Sequence, residues 1–344
     1  MMPCVDATAD AGGFDHDGEG EPMSVSGKLS VCVLGAGSLG CVFGGLLGAN
    51  GHEVVLVNRN RSLVETLNRN GLVLHTNQGD RSIAVTAAQG CSGLGPFAVV
   101  LLLVKSFHTR EALEAVGDVI GDDTVVVSLQ NGLGHEELIG DIVGMERCIL
   151  GKTYVGGTMT EPGHIVGGAV GKLTYIGELD GKVSERVARI ADQFTEAGLE
   201  TIASDRIMQI VWDKLLVNAA TGALSAITRL PYGHLYDVPE VADCGRAVVA
   251  EAMQVAEAAG IPLSITEPDR AWRMAGEGLP FDFKASMLQS IEKGSQTEID
   301  FINGAIVRLG QRLGISTPVN AALVAGVKGI ERDIARRAGE KAGT

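Results

Sequence analysis

The feature that most constrains the fold is a glycine-rich motif, GAGSLG, at residues 35–40. The run before it, residues 29–34, reads LSVCVL and is typical of a buried parallel strand. The segment after it, up to Asn50, is rich in small residues and is predicted to be a helix. A GxGxxG motif between a strand and a helix predicts a turn that binds the pyrophosphate of a dinucleotide. The predicted cofactor-binding turn comprises Gly35, Ala36, Gly37, Ser38, Leu39 and Gly40.

Apolar and helical segments alternate up to about residue 205, which predicts an α/β Rossmann domain with a doubly wound, mainly parallel sheet at residues 29–205. Further strands are predicted at residues 53–57, 72–75, 82–87, 98–104, 124–129 and 199–202, with helices at 61–68, 107–116 and 183–197. From there the pattern is almost entirely helical, which predicts an all-α C-terminal domain at residues 206–335. Its helices are predicted at residues 207–220, 241–259, 270–274, 284–293, 297–313 and 319–334.

Both ends of the chain are predicted to be tails. Residues 1–28 are acidic and glycine-rich, without the basic start and apolar core of a secretory signal, so we expect a disordered segment. Met1 and Met23 are both candidate starts of translation. Residues 336–344 are predicted to be a C-terminal tail.

Charge and composition exclude several classes of partner. The net charge of −14 argues against a nucleic-acid partner, because phosphate binding needs a basic surface. No stretch reaches the roughly 20 apolar residues of a membrane helix, so we expect no membrane partner and a cytoplasmic location. Six scattered cysteines, without a CxxC pair, indicate buried reduced thiols. The histidines lack metal-binding spacings, so we expect no protein-built metal site.

The end of the second predicted strand indicates which dinucleotide binds. An NAD enzyme usually places Asp or Glu there, whereas this strand ends Val57-Asn58-Arg59. A carboxylate would repel a 2′-phosphate, while the guanidinium of Arg59 can bind it by charge-assisted hydrogen bonds. The sequence therefore favours NADP (NADPH) as the cofactor. The alternative is that Arg59 is a solvated surface charge.

Two further polar residues end predicted strands, where ligands bind in such sheets. Lys105 closes the run VLLLVK and could meet a phosphate or ribose of the cofactor. Asn131 follows the next strand in LQNGLG and suits the nicotinamide ribose or the substrate, because its amide both donates and accepts hydrogen bonds. The alternatives are a solvated lysine and a plain Asn-Gly turn.

A lysine and an asparagine share one helix face early in the helical half. Lys214 and Asn218 are four residues apart in WDKLLVN, among apolar neighbours that would lower the pKa of the lysine. Such an amine can serve as a general acid toward a carbonyl oxygen. The alternative is a lysine whose stem packs on the surface with its charge in water. Further on, Ser286 opens one predicted helix, and Glu298 lies at the start of the next, where a carboxylate can have a simple capping role.

Several motifs together resemble one known family. GAGSLG, LLLVKSF, LQNGLG, EPGHI, WDKLLVNAA, KASMLQ and TEIDFINGAIVRLG occur in this order, and the chain is similar to ketopantoate reductases (2-dehydropantoate 2-reductases) from about residue 29 to 330. The resemblance implies reduction of 2-dehydropantoate to pantoate with NADPH, in the route to pantothenate and coenzyme A. It also implies roles for individual residues.

On the substrate side, the resemblance implies that Lys214 donates a proton to the keto oxygen and that Asn218 orients the substrate or Lys214. Ser286 would bind the substrate carboxylate, and Glu298 would hold a substrate hydroxyl or the cofactor near the reacting carbon.

On the cofactor side, the resemblance implies that Arg59 and Lys105 meet the adenosine-side phosphate. Asn131 would lie between the nicotinamide ribose and the substrate. Gly157, in TYVGGTM, falls where the family's backbone contacts the cofactor.

Two positions depart from the family pattern and leave the substrate open. Family members carry asparagines where this chain has Gly222 and, nearby, Tyr232. A different branched 2-oxo acid is therefore an alternative substrate, and a β-hydroxyacid or opine dehydrogenase of the same architecture is a second alternative. A non-catalytic NADP-binding sensor is a third, although a sensor needs no proton donor. The oligomeric state is open, with a homodimer as one option.

Overall fold

A computed structural model describes residues 27–76 and 78–342, so most of the predicted N-terminal tail lies outside the described residues. The strands are β1 (Ser30–Leu34), β2 (Glu53–Val57), β3 (Leu72–Thr76), β4 (Gly79–Ile83), β5 (Thr86–Ala88), β6 (Val99–Leu102), β7 (Val125–Ser128), β8 (Cys148–Thr153), β9 (Gly156–Glu161), β10 (His164–Gly168), β11 (Thr174–Gly177) and β12 (Thr201–Ala203). The helices are α1 (Ser38–Ala49), α2 (Arg61–Asn70), α3 (Thr109–Glu114), α4 (His135–Val143), α5 (Glu185–Glu196), α6 (Ile207–Thr228), α7 (Tyr232–Tyr236), α8 (Pro239–Ala258), α9 (Pro268–Gly276), α10 (Ser286–Glu292), α11 (Asn303–Leu313) and α12 (Pro318–Ala342).

The large sheet has the doubly wound order that the sequence predicts. Its strands run β12-β11-β8-β7-β6-β1-β2-β5, and the six from β8 to β5 are parallel. Apolar side chains are favoured in the middle of such a sheet, since helices cover both faces. Val31, Cys32 and Val33 of β1 are accordingly fully buried. The chain therefore has the predicted α/β half, with β11 antiparallel to β8 at one edge.

A smaller mixed sheet, β4-β3-β10-β9, packs on α1. The approach is close: a Cβ built on Gly45 of α1 would come within 2.5 Å of the Leu72 side chain. The prediction of one strand at residues 82–87 was wrong. The chain changes sheets there, because Ile83 pairs with Leu72 in the small sheet while Ala87 pairs with Leu56 in the large one.

The C-terminal half is helical, as predicted, and α6 is its central helix. Trp212 and Leu216 on α6 are fully buried, and α8, α9, α10 and α12 pack around this helix. Within the described chain α6 alone is long and apolar enough to cross a membrane, but 67% of its apolar window is buried inside the protein. The helix is thus accounted for as the core of this half.

Several predicted helix ends were wrong. Helix α6 continues past residue 220 to Thr228 and ends where Arg229 adopts a left-handed conformation, φ 65°. Helix α12 continues to Ala342, through residues predicted to be a tail. Ion pairs one turn apart support that extension, for example Arg336 with Glu340. The predicted helix 297–313 is broken by a non-helical Ile302 (φ −103°, ψ −96°) between a 3₁₀ turn and α11.

Candidate functional site

The GAGSLG motif forms the turn between β1 and α1. Gly35 has φ +101°, and a Cβ there would overlap the backbone of Val104 on the neighbouring strand connection, so only glycine fits. A Cβ on Gly40 would overlap the carbonyl of Gly35, whereas one on Gly37 would meet no atom within 4 Å. The turn is therefore tight on the protein side and open at Gly37, the arrangement that lets a ligand approach the backbone.

Helix α1 presents its N-terminus to the same opening. No side chain caps it, so its first N–H groups can bind an anion. The Ser38 hydroxyl accepts a hydrogen bond from the backbone N–H of Met159 at 2.9 Å. This bond ties β9, which carries Gly157, to the glycine turn.

A cleft of about 600 Å³ runs along this turn. Most of the predicted site residues line it, namely Gly35, Gly37, Ser38, Leu39, Gly40, Arg59, Lys105, Asn131, Gly157 and Glu298. Ala36 is fully buried behind the turn, where its carbonyl accepts a hydrogen bond from Asn58 Nδ2 at 2.8 Å. Lys214, Asn218 and Ser286 are not part of this lining.

Arg59 lies at the end of the cleft next to β2 and already has partners. Its Nη1 contacts both carboxylate oxygens of Glu111, at 2.8 and 2.6 Å, and its Nη2 lies 3.0 Å from Nε2 of His108. Arg59 and Glu111 are each more than half exposed. Water therefore screens this pair, and the guanidinium can exchange Glu111 for another anion at small cost.

Glu298 of the helical half contacts the α/β half at Ser106 and at Lys105, which lines the cleft. Its Oε1 accepts hydrogen bonds from the hydroxyl (2.9 Å) and the backbone N–H (3.3 Å) of Ser106, and its Oε2 lies 3.7 Å from Nζ of Lys105. The side-chain partner of Lys105 is therefore Glu298, whereas Arg59 is held by His108 and Glu111. Both side chains line the same cleft, and a shared contact with the adenosine-side phosphate stays a prediction.

Asn131, in the loop after β7, is held by a lysine that the sequence analysis did not single out. Lys152 on β8 is 5% exposed, and its Nζ donates to Asn131 Oδ1 at 2.8 Å. Burial, with the charge of Lys214 second, lowers the pKa of Lys152 to about 7. A lysine inside the apolar strand CILGKT was the sequence signal for this residue.

The amines of Lys214 and Lys152 both lie near one aromatic ring. Nζ of Lys214 lies 5.6 Å from the centre of the Tyr154 ring, and Nζ of Lys152 lies 5.7 Å from it, both within cation–π range. Burial lowers the pKa of Lys214. Within the described chain neither ammonium has a carboxylate partner. Lys214 is thus a half-buried amine on the same tyrosine ring as Lys152, the residue that holds Asn131.

Asn218 and Ser286 lie further along α6 and at the start of α10. Asn218 is half-buried one turn after Lys214, and Ser286 is exposed. The two departures from the family pattern lie where these helices meet: a Cβ on Gly222 would be 3.6 Å from Met287, and the Tyr232 hydroxyl lies 3.1 Å from that of Thr221.

A backbone contact fixes the two halves beside the site. The N–H of Leu133 donates to the carbonyl of Phe301 at 2.9 Å, and the ring of His135 stacks on that of Phe301, 5.0 Å between centres. Gly132 has φ +98°, and a Cβ there would overlap the Phe301 carbonyl. We call this contact between residues 132–135 and Phe301 the loop clamp. It sets the position of Glu298, three residues before Phe301, against Asn131.

Comparison with known proteins agrees with this arrangement. Residues 31–181 match the family described as ketopantoate reductase PanE/ApbA, and residues 206–331 match its C-terminal part. The chain belongs to the ketopantoate reductase family. This is a family of oxidoreductases, and its two parts correspond to the α/β half and the helical half described above.

Individual relatives align with this chain over nearly their whole length. A protein of Archaeoglobus fulgidus named 2-dehydropantoate 2-reductase is 32% identical over 302 residues, 88% of this chain and 97% of the relative. A PanE/ApbA family ketopantoate reductase structure from Ralstonia eutropha has a TM-score of 0.81 and 33% identity, with 89% of this chain and 99% of that one covered. A D-mandelate dehydrogenase solved with NADH and anilino(oxo)acetate has the same TM-score, 26% identity and the same coverage of both chains.

Proposed function

We propose that this ketopantoate reductase family member reduces 2-dehydropantoate to pantoate with NADPH, a step of pantothenate and coenzyme A biosynthesis, with Lys214 as the proton donor. The observation that carries the proposal is the position of Lys214. Its amine is half-buried and unpaired among the described residues, and it shares the Tyr154 ring with Lys152, whose partner Asn131 lines the cleft.

The residues of the cleft fit a dinucleotide. The open backbone at Gly37 and the uncapped start of α1 suit a pyrophosphate, and the exposed guanidinium of Arg59 suits a 2′-phosphate. No carboxylate ends β2, which removes the usual ligand of an NAD ribose. Lys105, Asn131 and Gly157 would hold the remainder of the molecule. When bound, NADPH supplies the hydride that the keto carbon receives.

The protein's own part is to place charge and a proton at the keto oxygen. Negative charge develops on that oxygen as the carbon is reduced, and the ammonium of Lys214 stabilises it and then transfers a proton, so that the C=O group becomes CH–OH. The lowered pKa of Lys214 makes this transfer easier near neutral pH. Asn218 would orient the substrate or the amine, and Ser286 and Glu298 would bind the substrate's carboxylate and hydroxyl.

A reductase of another 2-oxo acid is the second candidate, because two specific residues favour it. Gly222 carries no polar side chain and packs against Met287, 3.6 Å from a built Cβ, and the ring of Tyr232 lies 6.0 Å from that of Phe283 and 6.2 Å from that of Tyr236. A glycine and an aromatic residue at these two positions make this region less polar than asparagines would, which suits a more apolar substituent than that of 2-dehydropantoate. The relationship to a D-mandelate dehydrogenase structure points in the same direction.

One steady-state experiment tests both candidates. The purified protein is assayed with 2-dehydropantoate, 2-oxoisovalerate and phenylglyoxylate, each with NADPH and with NADH. The proposal expects the largest kcat/KM for 2-dehydropantoate with NADPH. A preference for phenylglyoxylate would replace the substrate assignment, and cofactor binding without turnover of any 2-oxo acid would contradict the enzymatic role and favour a sensor.

A further inference from the structure

Lys152 is a buried amine that the proposed chemistry does not yet use. It lies on a central strand of the sheet, 5% exposed, and the only hydrogen bond of its Nζ within the described chain is the one to Asn131 Oδ1. A lysine buried without a carboxylate partner costs folding free energy. Because the burial of Lys152 does not stabilise the free protein, we expect its amine to serve the binding of a ligand.

The hydrogen bond from Lys152 determines how the Asn131 amide is turned. An ammonium can only donate, so the amide oxygen of Asn131 must face Lys152. The Nδ2 group of Asn131 has no partner among the described residues, and Asn131 lines the cleft. Two N–H donors are thereby left for a ligand, in an orientation that Lys152 fixes.

The groups around Lys152 make the site receptive to an anion. The amines of Lys152 and Lys214 both lie near the Tyr154 ring. Tyr175 on β11 pairs with Lys152 in the sheet register, and Glu298 is the acidic group whose charge acts on Lys152. Glu298 is itself held by Ser106. The positive groups therefore lack a counter-ion of their own, and the carboxylate of a 2-oxo acid would supply one.

We propose that Lys152 is a positioning residue for the anionic substrate: it fixes the Asn131 amide with its N–H groups toward the cleft and adds a second positive charge beside Lys214. The inference rests on the proposed 2-oxo acid reductase function. Lys152 touches Asn131 and Tyr154, and it acts on the substrate through Asn131 and through its charge.

The pKa of Lys152, lowered to about 7, gives the proposal a distinctive pH dependence. The charge is present below that pH and is lost as pH rises, and the charges that act on it are those of Lys214 and Glu298. In the wild type kcat/KM should therefore decline through a step near pH 7 that is separate from any later decline caused by Lys214. Arrival of the substrate anion would favour the protonated amine.

The test compares Lys152→Met, Lys152→Gln and the control Lys172→Met, which removes an exposed lysine. For Lys152→Met we expect the KM of the 2-oxo acid to rise about tenfold, the scale of one hydrogen bond to a charged group. The effect on kcat should be smaller, the dissociation constant of NADPH should be unchanged, and the step near pH 7 should be absent. Lys152→Gln keeps a hydrogen-bond donor for Asn131, so its KM should rise less than that of Lys152→Met. The step near pH 7 should be absent from this variant too.

A measurement without turnover separates this inference from the proposed function. In the free protein, the Asn131 side-chain amide resonances, assigned with Asn131→Asp, should shift in Lys152→Met and stay in place in Lys172→Met. If that shift occurs but the wild type reduces no 2-oxo acid, the proposed function fails and the positioning of Asn131 stands. If the wild type is active while Lys152→Met and Lys152→Gln keep its KM and pH profile, the inference is overturned.

Discussion

Nη1 of Arg59 contacts both carboxylate oxygens of Glu111, at 2.8 and 2.6 Å, at the mouth of the cleft next to β2. A bound 2′-phosphate would have to compete with this carboxylate for the guanidinium. Arg59→Ala should therefore weaken NADPH by roughly tenfold or more, the scale of a charge-assisted hydrogen bond, and NADH much less. Fluorescence titration of both cofactors measures the two dissociation constants. Arg61→Ala is the control, since Arg61 is also exposed but pairs with Glu65. Equal losses for NADPH and NADH would contradict the assignment of Arg59.

Glu111→Gln should have the opposite effect on NADPH. The change frees Arg59 and removes a negative charge that would repel a 2′-phosphate, so NADPH should bind roughly threefold more tightly, the scale of an exposed ion pair. The affinity for NADH should change little. The same titrations decide the point, and weaker binding of NADPH by Glu111→Gln would show that Glu111 contacts the cofactor directly.

Lys214→Met should lower kcat by roughly a hundredfold or more, because the keto oxygen loses its proton donor. The dissociation constant of NADPH should stay the same, since Lys214 lies outside the lining of the cofactor cleft. Stopped-flow measurement of NADPH oxidation gives the chemical step, with Lys172→Met as the control. Near-normal turnover in Lys214→Met would remove the residue from its proposed role.

The burial of Lys152 should appear in the pH dependence of stability. Its folded pKa of about 7 lies below the unfolded value of about 10.4, so the unfolded state binds more protons between these pH values. Stability from this residue therefore rises with pH above about 7 and is lowest, and constant, below it. Lys152→Met should be more stable than the wild type at pH 6.5, with a difference that shrinks by pH 9. Urea denaturation at both pH values measures the difference in free energy of unfolding between the variant and the wild type. A difference that is the same at both pH values would contradict the lowered pKa of Lys152.

Gly132→Ala should destabilise the protein and disturb the site. An alanine there is strained by the positive φ and would also overlap the carbonyl of Phe301, so the loop clamp must shift and Asn131 with it. We expect a loss of about 2 kcal/mol in the free energy of unfolding, together with a higher KM. Gly134→Ala is the matched control, because Gly134 has φ +92° but no atom within 4 Å of a built Cβ. Equal losses in urea denaturation would show that backbone strain alone is responsible.

The sequence predicted those parts of the fold that depend on local pattern. The mainly parallel sheet, the glycine turn and the helical second half follow from apolar runs and periodicity. The division into β4 and β5 could not be predicted, because it depends on Ile83 and Ala87 joining different sheets. The length of α12 was missed because its last turns are stabilised by surface ion pairs rather than by an apolar face.

For the site, the sequence predicted most residues that line the cleft but not their partners. Arg59 was identified from the end of its strand, whereas its pairing with Glu111 depends on how α3 approaches β2. Lys152 was missed because its one sequence signal, a lysine inside the apolar run CILGKT, does not show what the amine contacts. Its proposed role depends on Asn131 and Lys214, which lie 21 and 62 positions away in the chain.

The loop clamp also bears on how proteins of this architecture can be recombined. A chimera joined near residue 205 would take residues 132–135 from one parent and Phe301 from the other, although the close approach at Gly132 and the stacking of His135 on Phe301 require that they match. Exchanging the helical half to obtain a new substrate range would then misplace Glu298, even with each half intact. The practical unit of exchange is therefore the helical half together with residues 130–135, so these few positions of the first half must come from the same parent as the second.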